Sequence, residues 1–304
     1  MTASELSEQF GLPGILHFEE HGELTRARIT LRTCDATIYL QGAHLTDWQP
    51  TGQKPVLFLS EHSAFTPGKA IRGGIPLCFP WFGGRSDGPG PSHGFARIQP
   101  WELAFAALMP DTGEGDRLQL TFVLGATDLS ESLGFAGFRV AYELLLGRTL
   151  TLRLTVANFG EGLFKFEDAL HAYFNVGDVR QSAITGLESA NYLDKRDGGQ
   201  TKTAPAGPLQ LTEWTDRVFP GNASAPTIVD SVNHRRIRIG KQHSATTVVW
   251  NPWAEGAADL ADLGSDEWTN FLCVEVANTA HDAITLAPGQ THTMIMSVAV
   301  EPEA

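Results

Sequence analysis

The chain has 304 residues, of which 42% are hydrophobic and 19% charged, and a formal net charge of -13. That composition supports a sizeable core and excludes a disordered polyampholyte. The acidic balance argues against a nucleic-acid binder, which would carry a basic face, but not against a small anionic ligand, because a few local arginines outweigh a distant, screened field.

The N-terminal stretch MTASELSEQFGLPG holds neither a basic region nor an apolar run, so no signal peptide is expected. No stretch approaches the roughly 18 apolar residues of a membrane helix, and a cytoplasmic protein without membrane or nucleic-acid partners is expected. Cys34, Cys78 and Cys273 are widely spaced and form no CxxC pair. They read as reduced, buried thiols, not as a disulfide framework or a zinc site.

In chain order, Leu6 to Phe10 fits one helical turn. Arg26 to Arg32 alternates polar and apolar residues, as a strand with one buried face requires. Gly52 and Gly113 to Gly115 read as turns. Arg117 to Leu124, Phe138 to Leu146 and Thr149 to Val156 repeat the period of two. Gly147-Arg148 between the last two suits a two-residue type II′ hairpin. His234 to Arg238 alternates like an edge or surface strand. Ala257 to Leu263 allows a second helical turn, and Asp259 to Glu267 reads as a solvated connection. Pro288-Gly289 is a turn before a last strand, Thr291 to Val300. Strands dominate and no helices separate them. The expected fold is therefore all-β, a large antiparallel β-sandwich with few short helices, forming a single domain over residues 1–304, and not a doubly wound α/β sheet.

One segment departs from the alternation. AIRGGIPLCFPWFGGRSDGPGPSHGFAR, Ala70 to Arg97, gathers seven Gly, four Pro, three Arg and one His. Gly permits positive φ and close backbone approach, while Pro restricts the path, so the segment is suited to frame a cleft. Arg72 and Arg97 bracket it. A guanidinium offers five donors in a rigid fork matched to phosphate or carboxylate oxygens, although an isolated arginine more often makes an ordinary surface ion pair. His93 is the third candidate, against the alternative of a packed bystander.

Two more positions stand out. His171 lies in the aromatic run Phe166 to Phe174, where burial or a carboxylate neighbour shifts an imidazole across neutrality, unless it is simply a satisfied core histidine. Glu275 follows Phe271 and Cys273 at a spacing of two. Residues two apart share a strand face, so Glu275 is expected to point inward with them, and an inward Glu needs a reason.

Taken together, IRGGIPLCFPWFG (Ile71 to Gly83), SHGFAR (Ser92 to Arg97) and WEL (Trp101 to Leu103) resemble the hexose-6-phosphate mutarotases. These form the glucose-6-phosphate 1-epimerase branch of the aldose 1-epimerase family. GAHLTDW, ALHAYFNVGD, GLESANYLDK, VVWNPW and FLCVE extend the resemblance, in family order, from Gly42 to Ala277. The resemblance implies a galactose mutarotase-like supersandwich, no cofactor and no metal. It implies His171 as the general acid on the ring oxygen and Glu275 as the base at the C1 hydroxyl. It further implies His93 and Asp194 on sugar hydroxyls, and Arg72 and Arg97 on phosphate. Phe79 and Trp253 are candidates for stacking on the sugar. After FLCVE the chain continues Val276-Ala277-Asn278, a departure from the family's usual Pro or small residues that leaves Glu275 intact but should alter the rim.

Mutarotation needs one group to remove the C1–OH proton and another to protonate the ring oxygen, with both roles reversed on closure. One ionised Glu and one protonated His meet that need, each worth about 10²–10⁴ in rate. Both anomers must react, so binding energy belongs on remote groups such as a 6-phosphate. The expected partner is a small-molecule hexose 6-phosphate; the sequence leaves the oligomeric state open, with a monomer slightly favoured. Rival readings are a mutarotase of unphosphorylated aldoses, a non-catalytic sugar-phosphate binder, and a cupin-like metalloenzyme using His93, His171 and Glu275.

Overall fold

The computed structural model describes every residue except Ser86, Thr112, Glu114 and Ala304. Two eight-stranded antiparallel sheets dominate it, with a four-stranded sheet from the N-terminal Leu16 to Pro50 and a two-stranded ribbon beside them. The back sheet runs, in spatial order, through Ser182–Thr185, Thr227–Asp230, Arg235–Gln242, Thr291–Pro302, Leu150–Asn158, Phe138–Leu146, Arg117–Gly125 and Glu102–Met109. The front sheet is ordered Gln200–Thr203, Asn191–Asp194, Thr215–Phe219, Thr246–Asn251, Phe271–Asn278, Asp168–Leu170 and Leu77–Cys78, with Tyr173–Asn175 also pairing along Phe271–Asn278.

The period of two explains the back sheet directly. Leu118, Leu120, Phe122 and Leu124 are buried on one face of their strand, as are Leu150, Leu152, Leu154 and Val156 on theirs. Burying each such side chain contributes about 1.5–3 kcal/mol. One contiguous apolar cluster draws on residues from Leu6 to Val298. The N-terminal helix starts earlier than its apolar residues suggest, at Ala3, because Thr2 and Glu5 form a capping box that satisfies both free amides there.

Three local expectations are corrected. The Phe138–Leu146 hairpin closes through three residues, since Leu146 pairs with Leu150, and Gly147 does not adopt the positive φ that a type II′ turn demands. The basic run at 234–238 is no edge strand. Arg235–Gln242 lies between two partners, and Arg235 is buried on Asp230 with its remaining donors on the carbonyls of Lys54, Pro55 and Asn175. The late helix is Trp253–Ala257, not a turn over 257–263, since the Asn251 side chain accepts the Trp253 amide and starts it early. The Gly113 to Gly115 turn is supported by the positive φ of both glycines; Glu114 between them lies outside the described residues.

The front sheet positions the candidate functional side chains. Leu170 pairs with Val276 and Tyr173 with Cys273 in one continuous register. His171 and Ala172 therefore lie opposite Glu275 and Val274, but their backbone leaves the ladder, and the His171 amide donates to the Pro76 carbonyl instead. The sheet opens where His171 and Glu275 meet as a cross-strand pair. Val276, Ala277 and Asn278 continue the strand, all buried, so the departure after FLCVE extends the sheet and builds no rim.

Candidate active site

The glycine- and proline-rich segment folds back on itself over the front sheet. The Phe79 amide donates to the His93 carbonyl and the His93 amide to the Gly83 carbonyl, which pins the two arms together. Gly94 (φ 73°) passes so close to the Phe79 carbonyl that a Cβ there would collide with backbone. Gly74 (φ 61°) approaches the Leu45 carbonyl in the same way. The frame expected from composition is thus built from backbone contacts that only glycine allows.

Under this frame lies a cleft of about 420 Å³. Arg72, His93, Arg97, His171 and Glu275 all line it. His171 Nε2 stands 3.4 Å from Glu275 Oε1, and the two side chains are only 8% and 1% exposed. His171 stacks on Tyr173 with centroids 4.9 Å apart and packs edge-on against His93 at 5.5 Å. Among the described residues, His171 Nδ1, Glu275 Oε2 and Arg97 Nε find no hydrogen-bond partner although they are buried. Leaving such groups unsatisfied costs on the order of 1–3 kcal/mol each, which a fold sustains where a ligand completes the bonding.

Electrostatics refine the expected protonation. Burial, reinforced by the nearby Asp216, pushes the Glu275 carboxyl well above the usual range. Burial, aided by His93 and Arg97, pushes His171 well below its usual value. Each group by itself favours its neutral form, not the ionised Glu and protonated His that the chemistry alone suggests. A neutral carboxyl with a neutral imidazole holds the same single proton as a carboxylate with an imidazolium. The pair titrates as a unit, and one proton transfer across the gap interconverts the two forms.

His93 is pushed down to about 3 by burial and by Arg97 and Arg72. Its Nδ1 accepts the Gly83 amide at 3.3 Å and lies 3.4 Å from Cys78 Sγ. Burial raises the Cys78 thiol, so it keeps a proton that it can donate to the same nitrogen. Neutral His93 therefore carries its proton on Nε2.

Asp194 is not brought to the cleft. Its carboxylate accepts from Lys202 Nζ and the Arg196 amide at 2.8 and 3.0 Å, and it lines a separate depression with Arg217. The reason is strand alternation. Asp194 pairs with Arg217, and the next residues along, Lys195 and Asp216, are the ones on the cleft side. Phe79 is buried among Phe95, Phe138, Phe164 and Phe166, and Trp253 packs on Trp268 at 4.5 Å. Phe82 and Trp250 supply aromatic walls in their place. Asp216, Lys195 and Trp250 were missed by the sequence reading. The signal available for Trp250 was the alternation of Thr246–Asn251 beside Glu275, since Val248 pairs with Glu275.

Among the described residues no group of three or more His, Cys, Asp or Glu is disposed to hold a metal ion. No helix among them is long and apolar enough to cross a membrane.

The family model for aldose 1-epimerases matches residues 27–299. The chain belongs to the aldose 1-epimerase family. An Escherichia coli K12 relative named "Putative glucose-6-phosphate 1-epimerase" is 34% identical over 242 residues, 80% of this chain and 79% of that protein. A Cenchrus ciliaris protein of the same name is 32% identical over 263 residues, 85% of this chain and 79% of that one. A Salmonella typhimurium crystal structure described as a "putative mutarotase" superposes with a TM-score of 0.88 at 29% identity, covering 96% of both chains. A galactose mutarotase-like protein from Clostridium acetobutylicum shares the fold at a TM-score of 0.70 and 14% identity, over 94% of this chain and 98% of that one. The antiparallel supersandwich is therefore of the galactose mutarotase type, and family membership makes this aldose 1-epimerase relative an isomerase of the mutarotase class.

Proposed function

We propose that this chain interconverts the α and β anomers of a hexose 6-phosphate, glucose 6-phosphate foremost, by acid–base ring opening and closure. The observation that carries the reading is the 3.4 Å His171–Glu275 contact in a cleft also lined by Arg72, Arg97 and Lys195. Three cations in one cleft of a chain with net charge -13 favour an anionic sugar over a neutral one.

In this mechanism the Glu275 carboxylate takes the proton from the C1 hydroxyl while His171 gives its proton to the ring oxygen. The C1–O5 bond breaks, its electron pair stays on oxygen, and the C1–O bond becomes the carbonyl of the open-chain aldehyde. Opening leaves Glu275 and His171 both neutral, the form that burial favours, so the site stabilises the open-chain complex relative to the closed one. Rotation about C1–C2 exposes the other carbonyl face, and closure returns both protons. His93 donates from Nε2 to a sugar hydroxyl, and Asp216 accepts from another. Arg72, Arg97 and Lys195 hold the phosphate. The site works without a cofactor.

The test is magnetisation exchange by NMR between the anomeric protons of glucose 6-phosphate and, in parallel, of glucose. Acceleration for the phosphate ester, lost when Arg72 and Arg97 are both changed to Ala, supports the reading. Equal acceleration of glucose would make the chain a general aldose mutarotase. Binding of glucose 6-phosphate without exchange would make it a sugar-phosphate binder and would sink the roles of His171 and Glu275.

A further inference from the structure

The connection from Trp253–Ala257 to Phe271–Asn278 reaches the cleft at one residue. Leu260 lines it, and Asp262, two residues on, reaches the guanidinium of Arg72. Asp262 Oδ1 accepts from both Nε and Nη2 of Arg72, at 3.2 and 3.0 Å, and Tyr173 OH accepts from Nη1 at 2.9 Å. All three guanidinium nitrogens thus already have a protein partner, and one of those partners is an anion.

We infer that Asp262 is a built-in competitor for Arg72: its carboxylate holds the flank of the guanidinium that the phosphate of the sugar takes, and it is displaced as substrate binds. This rests on the hexose 6-phosphate reading above. Two carboxylate or phosphate anions cannot share one side of a guanidinium without strong repulsion, so phosphate binding at Arg72 requires Asp262 to leave.

Three observations make displacement feasible. Arg72 does not depend on Asp262 for its place. Its side chain keeps the Tyr173 bond, its amide donates to Ser63 Oγ, and its carbonyl accepts from the Ser60 amide and the Ser63 hydroxyl. Asp262 makes no other side-chain hydrogen bond among the described residues and is about one-third exposed, at 31%. The loop itself is pinned elsewhere, by Glu267, which accepts from the Ser60 hydroxyl and the Glu61 and Gly264 amides. The Asp262 carboxylate can swing away while that anchor holds. Asp262 also grips Arg72 through a single oxygen, whereas a phosphate presents two to the fork.

The arrangement gives two properties. A neutral hydroxyl cannot break a charged pair, so an unphosphorylated aldose gains nothing from Arg72. A phosphate can, but binds more weakly than to a bare arginine, and Asp262 returning to Arg72 speeds release of either anomer.

The experiment titrates inorganic phosphate and glucose 6-phosphate calorimetrically into the wild type, Asp262→Asn, Asp262→Ala and Arg72→Ala, with anomeric exchange kinetics alongside. Removing a partly exposed charged competitor should tighten phosphate about fivefold in both Asp262 variants. KM for glucose 6-phosphate should fall in proportion, kcat should not rise, and the exchange rate of glucose should be unchanged. A brace for Arg72 would give the opposite sign. Phosphate binding that is weakened or unchanged in both Asp262 variants, while Arg72→Ala weakens it, overturns the competitor role and leaves the phosphate clamp standing. Phosphate binding unchanged in Arg72→Ala removes Arg72 from the clamp and takes this inference with it.

Discussion

Two carboxyl groups on the front sheet, Glu275 and Asp168, are buried alike and answer to opposite surroundings. Both are raised by burial, Glu275 well above its usual range and Asp168 to about 7, and among the described residues Glu275 Oε2 and Asp168 Oδ2 find no hydrogen-bond partner. They occupy the same pair of neighbouring strands, where Glu275 faces His171 and Asp168 pairs with Asn278. Asn278 Nδ2 donates to Asp168 Oδ1 at 2.9 Å. An amide can stabilise a carboxylate but cannot exchange a proton with it. An imidazole can do both, and Glu275 also opens onto the cleft where Asp168 does not. Burial alone therefore does not make a catalytic carboxyl; a proton-exchanging partner and access to a substrate do.

The sharpest way to break this contrast is Glu275→Gln. The amide keeps the shape but cannot take a proton, and exchange of the anomeric protons should fall by about 10²–10⁴. The thermal midpoint should hold or rise, because a buried carboxyl that resists ionisation is replaced by a neutral group. His171→Asn should lose a similar factor, and the double variant should lose little more than either single one, since the pair acts as a unit. Losses that multiply in the double variant would separate the two roles.

Asp216→Asn sharpens the contrast with a smaller effect. Asp216 is one of the causes that hold Glu275 high. Neutralising it should lower the Glu275 value, so the ionised base persists to lower pH. The acid limb of the kcat/KM profile for glucose 6-phosphate should shift toward lower pH, with a rise in KM if Asp216 also accepts a sugar hydroxyl. A limb that does not move would mean that Glu275 is governed by burial alone.

Much of this site was legible in the sequence, for reasons the structure makes specific. The spacing of Phe271, Cys273 and Glu275 put the Glu on the face it shares with them; both faces of this strand are buried, so alternation chose the face and not the burial. The cluster of Gly and Pro from Ala70 to Arg97 marked the frame because close backbone approach at Gly74 and Gly94 tolerates no Cβ. The failures have equally specific causes. Asp194, which the resemblance implies on a sugar hydroxyl, lines a separate depression while its neighbour Lys195 lines the cleft, the difference that one residue makes on a strand. Phe79 and Trp253 were favoured as aromatics near the motifs, but which aromatic reaches a cleft depends on the packing of distant segments, here Phe138 and Phe164 against Phe79. Asp262 is the clearest case. It lies in a run that reads as solvated connection, and its contact with Arg72, 190 positions away, has no local signature.

The smallest effect on rate, and the most distinctive on stability, is expected of Asp168→Asn. Burial raises Asp168 to about 7 in the folded protein, against the ordinary carboxyl value of 3.8 that it has in the unfolded chain. Between those values the folded state holds a proton that the unfolded chain releases. Stability therefore declines as pH rises through the window from about 4 to 7, by on the order of 1 kcal/mol per unit, and levels off above it. The Asn variant keeps an oxygen for Asn278 Nδ2 and has nothing to titrate. Denaturant unfolding from pH 4 to 8 should find its stability flatter than that of the wild type across the window and higher at pH 8, with anomeric exchange unchanged. A parallel pair of curves would mean that Asp168 ionises in place and that Asn278 compensates for its burial. A loss of exchange would mean that the buried carboxyl communicates with His171 three residues along its own chain, and the distinction between the two carboxyl groups would then fail.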